Sequence, residues 1–314
     1  MGPLLYVCDL IVYIGIFGIV SLSLNLEFGF AGLANFGKVA FFLIGAYTYA
    51  LLSQIGLPFY LCLIAGALIS AIFGLLISLP ALRLRSDYLA IAVLAFGEIL
   101  RLIMKSEKWL AGGNWGIAVS PIFPWMGSHL IYRLENIALV GFCLVICFLV
   151  VQLLANSPYG RAMRAIREDE VAAEALGKDR AKFKAQALML GSAMAGVAGG
   201  LYAQYLQYAL PGMFMPMITF TVWIMVLLGG PANNWGALLG AALVQIFDRG
   251  TNIAKDYFTL PIDPSNLQYI LFGVLIILVL LYRPQGLLKE SKVKTKALRL
   301  AHNGRSAVKN KGSQ

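Results

Sequence analysis

The chain has 314 residues, 60% of them hydrophobic and 13% charged, with 25 Lys and Arg against 15 Asp and Glu. A soluble domain carries about 25% charged and about 45–50% apolar residues, so water is not the solvent for most of this chain. The formal net charge of +10 has to be located before it excludes anything. Residues 283–314 hold nine basic residues and one acid, Glu290; residues 156–184 hold seven basic and five acidic ones; the remainder is neutral overall. A nucleic-acid protein would carry its basic residues on a folded face among aromatic or polar readers. This distribution excludes nucleic acid as a partner and points to membrane lipid.

A membrane helix needs about 20 predominantly apolar residues. Taken in chain order, such segments fall near 4–26, 36–53, 59–79, 88–104, 135–155, 186–206, 213–229, 236–248 and 267–282. The expected fold is therefore all-α, a polytopic transmembrane bundle of about nine spans, with eight to ten as the range. The first apolar run has no Lys or Arg before it and is expected to be a retained span, not a cleaved leader. Basic residues near span ends favour the cytoplasm. The segment 156–184, the tail 289–314 and Arg83/Arg85 can all lie inside with this span count. The C-terminus is then cytoplasmic, the N-terminus external, and residues 1–288 form the membrane domain. The external loop 105–134, with Trp109, Trp115 and Trp125, has the aromatic content of an interfacial cap.

Several chemistries are excluded. Cys143 and Cys147, one helical turn apart in an apolar span, pack as small soft residues. A metal site there would need further ligands, and neither His129 nor His302 is near them in sequence. Gly32-Leu33-Ala34-Asn35-Phe36-Gly37-Lys38-Val39 matches a phosphate loop as far as its lysine. It then lacks the Ser/Thr hydroxyl that binds magnesium, and it leads into a membrane span. No nucleophile elbow or H-E-x-x-H is present. Neither a catalytic residue, a metal nor a cofactor is expected of this chain.

The most informative stretch runs from Asn156 to Gly177. Ser157 can cap a helix, Pro158 suits its first position, and Gly177 supplies a left-handed stop. The spacing predicts one helix of about five turns over 158–176, with Arg164 and Glu168 able to pair one turn apart. A long ordered loop of this kind tends to be functional. The segment is similar to the coupling loop of ABC importer permeases, whose pattern is E-A-A-x-x-x-G. Aligned on Gly177, this chain reads Val171-Ala172-Ala173, so the leading Glu is replaced.

Longer strings resemble one branch of those permeases. Asn25-Leu26 with Gly29-Phe30-Ala31-Gly32, then Gly37-Lys38-Val39-Ala40-Phe41-Phe42, looks like the opening of the branched-chain amino-acid ABC importer permeases. Pro80 to Ile91, Ala95 to Arg101 and the closing Arg283-Pro284-Gln285-Gly286-Leu287 resemble the same family. The length and that closing string match its M-type subunit. The resemblance implies a partner permease of related sequence, two cytoplasmic ABC ATPase subunits that bind the ATP, and an external substrate-binding protein. It also implies that Gly160, Arg161, Arg164, Glu168, Glu170, Ala172, Ala173 and Gly177 meet the ATPases. The implied cargo is a branched-chain amino acid, the alternative being other amino acids, urea or short amides.

Polar groups inside spans remain. Glu98 and Arg101 either satisfy each other or line a pathway or permease interface, as charges at membrane depth do. Asn25 and Asn35 flank a Gly-rich break and either bond between helices or line the path. Gly191, Ala195, Gly199 and Ala203, and later Gly236 and Gly240, form small-residue ridges suited to close helix packing. The string Gly32 to Gly37 is echoed at Gly230 to Gly236, a weak sign of an internal repeat. A self-sufficient secondary transporter is the less favoured reading, since it needs its own ion site and Glu98 already has Arg101 beside it.

Overall fold

The computed structural model describes residues 3–81, 86–122 and 129–257, and near the C-terminus 270, 273–274, 277–279, 281–283 and 285–290. Arg83, Arg85, Trp125, half of the ninth expected span and the tail beyond 290 lie outside the described residues.

Helix α1 (Pro3–Leu24) runs without interruption into a wider π-helical turn, Asn25–Phe30. Helices α2 (Lys38–Gln54), α3 (Phe59–Ala81) and α4 (Ser86–Ser106) follow. The loop after α4 carries a short helix α5 (Lys108–Ala111), a 3-10 turn (Gly113–Trp115) and strand β1 (Ile117–Ala118). Next come α6 (His129–Asn156), the short helices α7 (Pro158–Glu168) and α8 (Glu170–Ala175), and α9 (Arg180–Leu206). Strand β2 (Tyr208–Ala209) pairs antiparallel with β1, Ile117 opposite Ala209. A 3-10 turn (Pro211–Met213) leads to α10 (Met217–Gly229) and α11 (Asn234–Tyr257). The fold is an all-α membrane bundle, and the first eight expected spans coincide with α1–α4, α6 and α9–α11.

Among the described residues, four segments are long and apolar enough to cross a membrane on their own: Leu4–Phe30, Phe59–Leu79, Leu130–Asn156 and Pro211–Gly229. Position in the bundle accounts for part of the difference from nine. Helices α3 and α6 turn most of their surface outward and are apolar all round, as lipid contact demands. Helix α2, at 17 residues, is shorter than those four and is buried on nearly every side by α3 and α9.

Lipid tails are as apolar as the helix faces, so close van der Waals packing has to hold such a bundle together. The small-residue ridge of α9 supplies it. A Cβ on Gly199 would strike the Phe42 carbonyl of α2, and Ala195 and Ala203 are wholly buried. On α11, Gly236 and Gly240 bring the chain against Gly229 and Met225 of α10 in the same way. Phe17, Phe42, Tyr202 and Phe214 then fill the centre, with ring centroids 5.2 to 6.3 Å apart.

The closing string finds its role here. The N–H groups of Leu287 and Leu288 donate to the carbonyls of Leu228 and Gly229, both at 2.9 Å. The last carbonyls of α10 have no partner within their own helix. Residues 287–288 cap that end from 60 residues away.

Candidate functional site

The Gly-rich break after α1 is the most polar part of the interior. Glu27 and Lys38 are both 0% exposed and form an ion pair at 2.7 Å. Asn35 Nδ2 donates to the other Glu27 oxygen at 2.9 Å, and Asn35 Oδ1 accepts from the Gly37 N–H at 3.0 Å. The Glu27 carboxylate fits only because Gly191 of α9 has no side chain; a Cβ there would overlap it. Trp223 of α10 donates its indole N–H to the Asn35 carbonyl at 3.1 Å and stacks on Phe36. The phosphate-loop lookalike is thus a packed corner whose lysine is engaged by the chain's own carboxylate.

Asn25 reaches across the bundle. Its side-chain oxygen accepts from the Ala232 N–H at 2.8 Å, and its amide donates to Asn234 at 3.1 Å. Asn234 in turn donates to Gln152 of α6 at 2.8 Å. The turn of Asn25–Phe30, which precedes the first of the two echoing strings, lies against the second, and Gly29 touches Ala232. The Asn25 side chain links helices across the bundle, whereas the Asn35 side chain bonds within the break to Glu27 and Gly37. Glu98 and Arg101 are joined through two nitrogens of Arg101, the first of the two readings given for them.

The segment after α6 departs from the single helix expected over 158–176. It is two helices, because Asp169 adopts extended backbone, φ −152° and ψ 106°, and caps α8. Its Oδ1 accepts from Val171 N at 2.9 Å and Ala172 N at 3.0 Å. The outer signals stand: Ser157 caps α7 through Gly160 N, and Gly177 has φ +75°. Gly160 lies under the carbonyls of Leu154 and Ala155, where a side chain would block the turn from α6. Met163, Ile166 and Ala173 face inward, whereas Arg161, Glu168 and Ala172 face outward.

The expected Arg164–Glu168 pair is replaced by a longer-range arrangement. Arg164 lies over the Phe30 ring, 5.0 Å from its centroid, with Nε 3.2 Å from Glu290. Burial lowers its proton affinity; Glu290 opposes this and Arg167 adds to it. Arg167 donates to the Gly29 carbonyl and, at 2.8 Å, to Glu290. Its stem packs on Gly32. So α7 is seated directly on the break after α1, and Glu290 is held by two arginines of that helix. Glu170 of α8 binds Lys184 and, at 3.1 Å, Arg180 of α9; Glu174 binds Arg180 at 2.8 Å. Burial pushes the Glu170 carboxyl up, but bonds and charges from Lys184 and Arg180 outweigh it and hold the group below its ordinary value.

Arg167, Glu290 and the Glu27–Lys38 pair were not singled out as site residues in the sequence. The available signal was two isolated charges, Glu27 and Lys38, bracketing the Gly-rich break at membrane depth.

A helical bundle of this apolarity, with a charged two-helix element seated on an interior break, defines a multi-pass membrane transport component. Residues 6–280 match the family described as the permease component of the branched-chain amino acid transport system, and the chain belongs to that family. Relatives include the probable branched-chain amino acid transport permease protein LivM of Methanocaldococcus jannaschii, 32% identical over 91% of this chain and 94% of that protein. The high-affinity branched-chain amino acid transport system permease protein LivM of Escherichia coli is 33% identical over 93% of this chain and 72% of its own length. LivH of the same organism is 26% identical over 88% of this chain. The chain is of the M type. No solved structure matches it.

Proposed function

We propose that this chain is a membrane subunit of an ATP-driven importer and passes branched-chain amino acids inward from an external substrate-binding protein. A second permease subunit pairs with it, and two separate cytoplasmic ATPase subunits bind and hydrolyse the ATP. The segment 156–184 faces those ATPases, which sets the C-terminus inside and the N-terminus outside. The basic tail, 289–314, lies on the same face, against anionic lipid or the ATPases.

The observation that carries this reading is the seating of α7 on the break after α1. A push on α7 is delivered through Arg167 to Gly29 and Gly32, and so to the corner where Asn25, Ala232 and Asn234 join three helices. Such a corner has the connections of a two-state element biased from the cytoplasmic side. The outward face of α8 supports a partner there, since Val171 is 75% and Leu176 81% exposed.

Arg167→Ala is the test. Leucine uptake is expected to fall by roughly tenfold or more, within the range of allosteric coupling energies, while ATP hydrolysis and substrate capture by the binding protein persist. Undiminished uptake in this variant, and in a chain lacking 158–176, would remove the coupling assignment.

A further inference from the structure

At the far end of the bundle from α7 lies a cavity of about 480 Å³, within the size range of small-molecule sites. Its lining comes from the ends of four helices: Asp9 and Tyr13 of α1, Tyr132 and Arg133 of α6, Tyr205 of α9 and Arg249 of α11. Arg133 on α6 is 24 residues from Ser157, which at the helical rise places the cavity about 35 Å from the coupling segment.

The charges in this cavity are unevenly satisfied. Arg133 clamps Asp9 through two nitrogens, and Tyr205 also donates to that carboxylate. Three donors leave Asp9 an acceptor site to spare, because a carboxylate offers about four. Arg249 is positioned differently. Its guanidinium lies 3.9 Å over the Tyr13 ring, and its buried Nε has no hydrogen-bond partner. A buried donor left unpaired is costly, and Arg249 lines the cavity, where a guanidinium can donate a charge-assisted hydrogen bond to a carboxylate.

We infer that this cavity binds a free amino acid as its zwitterion. The carboxylate is received by Arg249; the ammonium faces Asp9 and the tyrosine rings, as a cation on an aromatic surface does. Leu206 contributes apolar contact for the side chain. A bare organic acid would meet the Asp9 carboxylate, and a bare amine would meet Arg249 and Arg133. Urea and simple amides carry no carboxylate for Arg249 to receive. The inference rests on the importer reading above and deepens it: the permease has a recognition site of its own on the face that receives cargo. The same four helices reach the coupling end, so the site and the coupling element share their supports.

The test is ligand binding to the full chain in lipid nanodiscs, with leucine, leucinamide, 4-methylpentanoate and urea as probes. Leucine is expected to bind saturably. Arg249→Gln should weaken it roughly 10- to 100-fold, the loss of one charge-assisted contact. Arg249→Lys should recover part of that, and thermal unfolding should confirm that both variants fold. Leucinamide and 4-methylpentanoate should each bind more weakly than leucine by a similar factor. Binding of leucine to Arg249→Gln with wild-type affinity, equal binding of leucinamide, or preference for urea would each overturn the inference. So would absence of binding by every amino acid in a panel of twenty; the importer reading would still stand if leucine uptake depends on Arg167. Arg249-dependent binding of a different amino acid would uphold the site and replace leucine as the cargo.

Discussion

Glu27 and Lys38 make a buried ion pair that only its neighbours render tolerable. Moving each charge out of water costs several kcal/mol, and the attraction at 2.7 Å offsets this only with further hydrogen bonds such as that from Asn35. Glu27→Gln strands Lys38 and should cost about 3–5 kcal/mol, read as a lower unfolding temperature in detergent. The double variant Glu27→Gln with Lys38→Met should recover most of that loss, since coupled residues are not additive. Equal losses in the single and double variants would show that the charges are not what the corner depends on. At the surface, Glu170 has a carboxyl held below its ordinary value of 4.5. A depressed carboxyl contributes stability that is present above the unfolded value and lost as pH falls through the folded one. A spin label at Val171 should therefore keep its mobility from neutral pH down to about 4.5 and loosen only below that. Loosening nearer neutrality would exclude Glu170 as the anchor. Some residue-level contacts were legible, Glu98 with Arg101 above all, because three residues along one helix is a local rule. Arg167 with Gly29 was not, because 138 positions separate them and no periodicity links the two.

The helices themselves were largely written in runs of apolar sequence, and their ends in caps such as Ser157-Pro158 and Gly177. The break at Asp169 was missed, although an Asp followed by Glu170 is a helix-start signal. The strength of the outer caps masked it, since one long helix satisfies them equally well. The break means that α7 and α8 answer to different neighbours: α7 to the turn after α1, α8 to the start of α9. Asp169→Ala removes the cap of α8 alone and should cost about 1 kcal/mol. Amides of 170–176 should then exchange about fivefold faster, with α7 unchanged. Joint acceleration of both helices would mean that they move as one body. Deeper in the bundle, Gly199→Leu should separate α2 from α9, because the Phe42 carbonyl occupies the space. Overpacking of this kind costs about 1–3 kcal/mol, visible as a lower unfolding temperature.

Across the whole molecule, α1, α6, α9 and α11 run between two polar ends, with an aromatic and small-residue centre in between. Composition assigned the solvent, and the few charges assigned the ends. The pairing of ends was not in the sequence, since it depends on which helices lie side by side. The position of Trp223 has an optical consequence. Of the five tryptophans, Trp109, Trp115 and Trp235 are exposed, and Trp125 lies outside the described residues. Trp223 alone among those described is buried, stacked on Phe36 and bonded to Asn35 within the break. Replacing the other four with phenylalanine leaves a native fluorophore in the corner that α7 presses upon. Its emission should be blue-shifted at rest and shift to the red when the corner opens, so the transport cycle could be followed by light without an added dye.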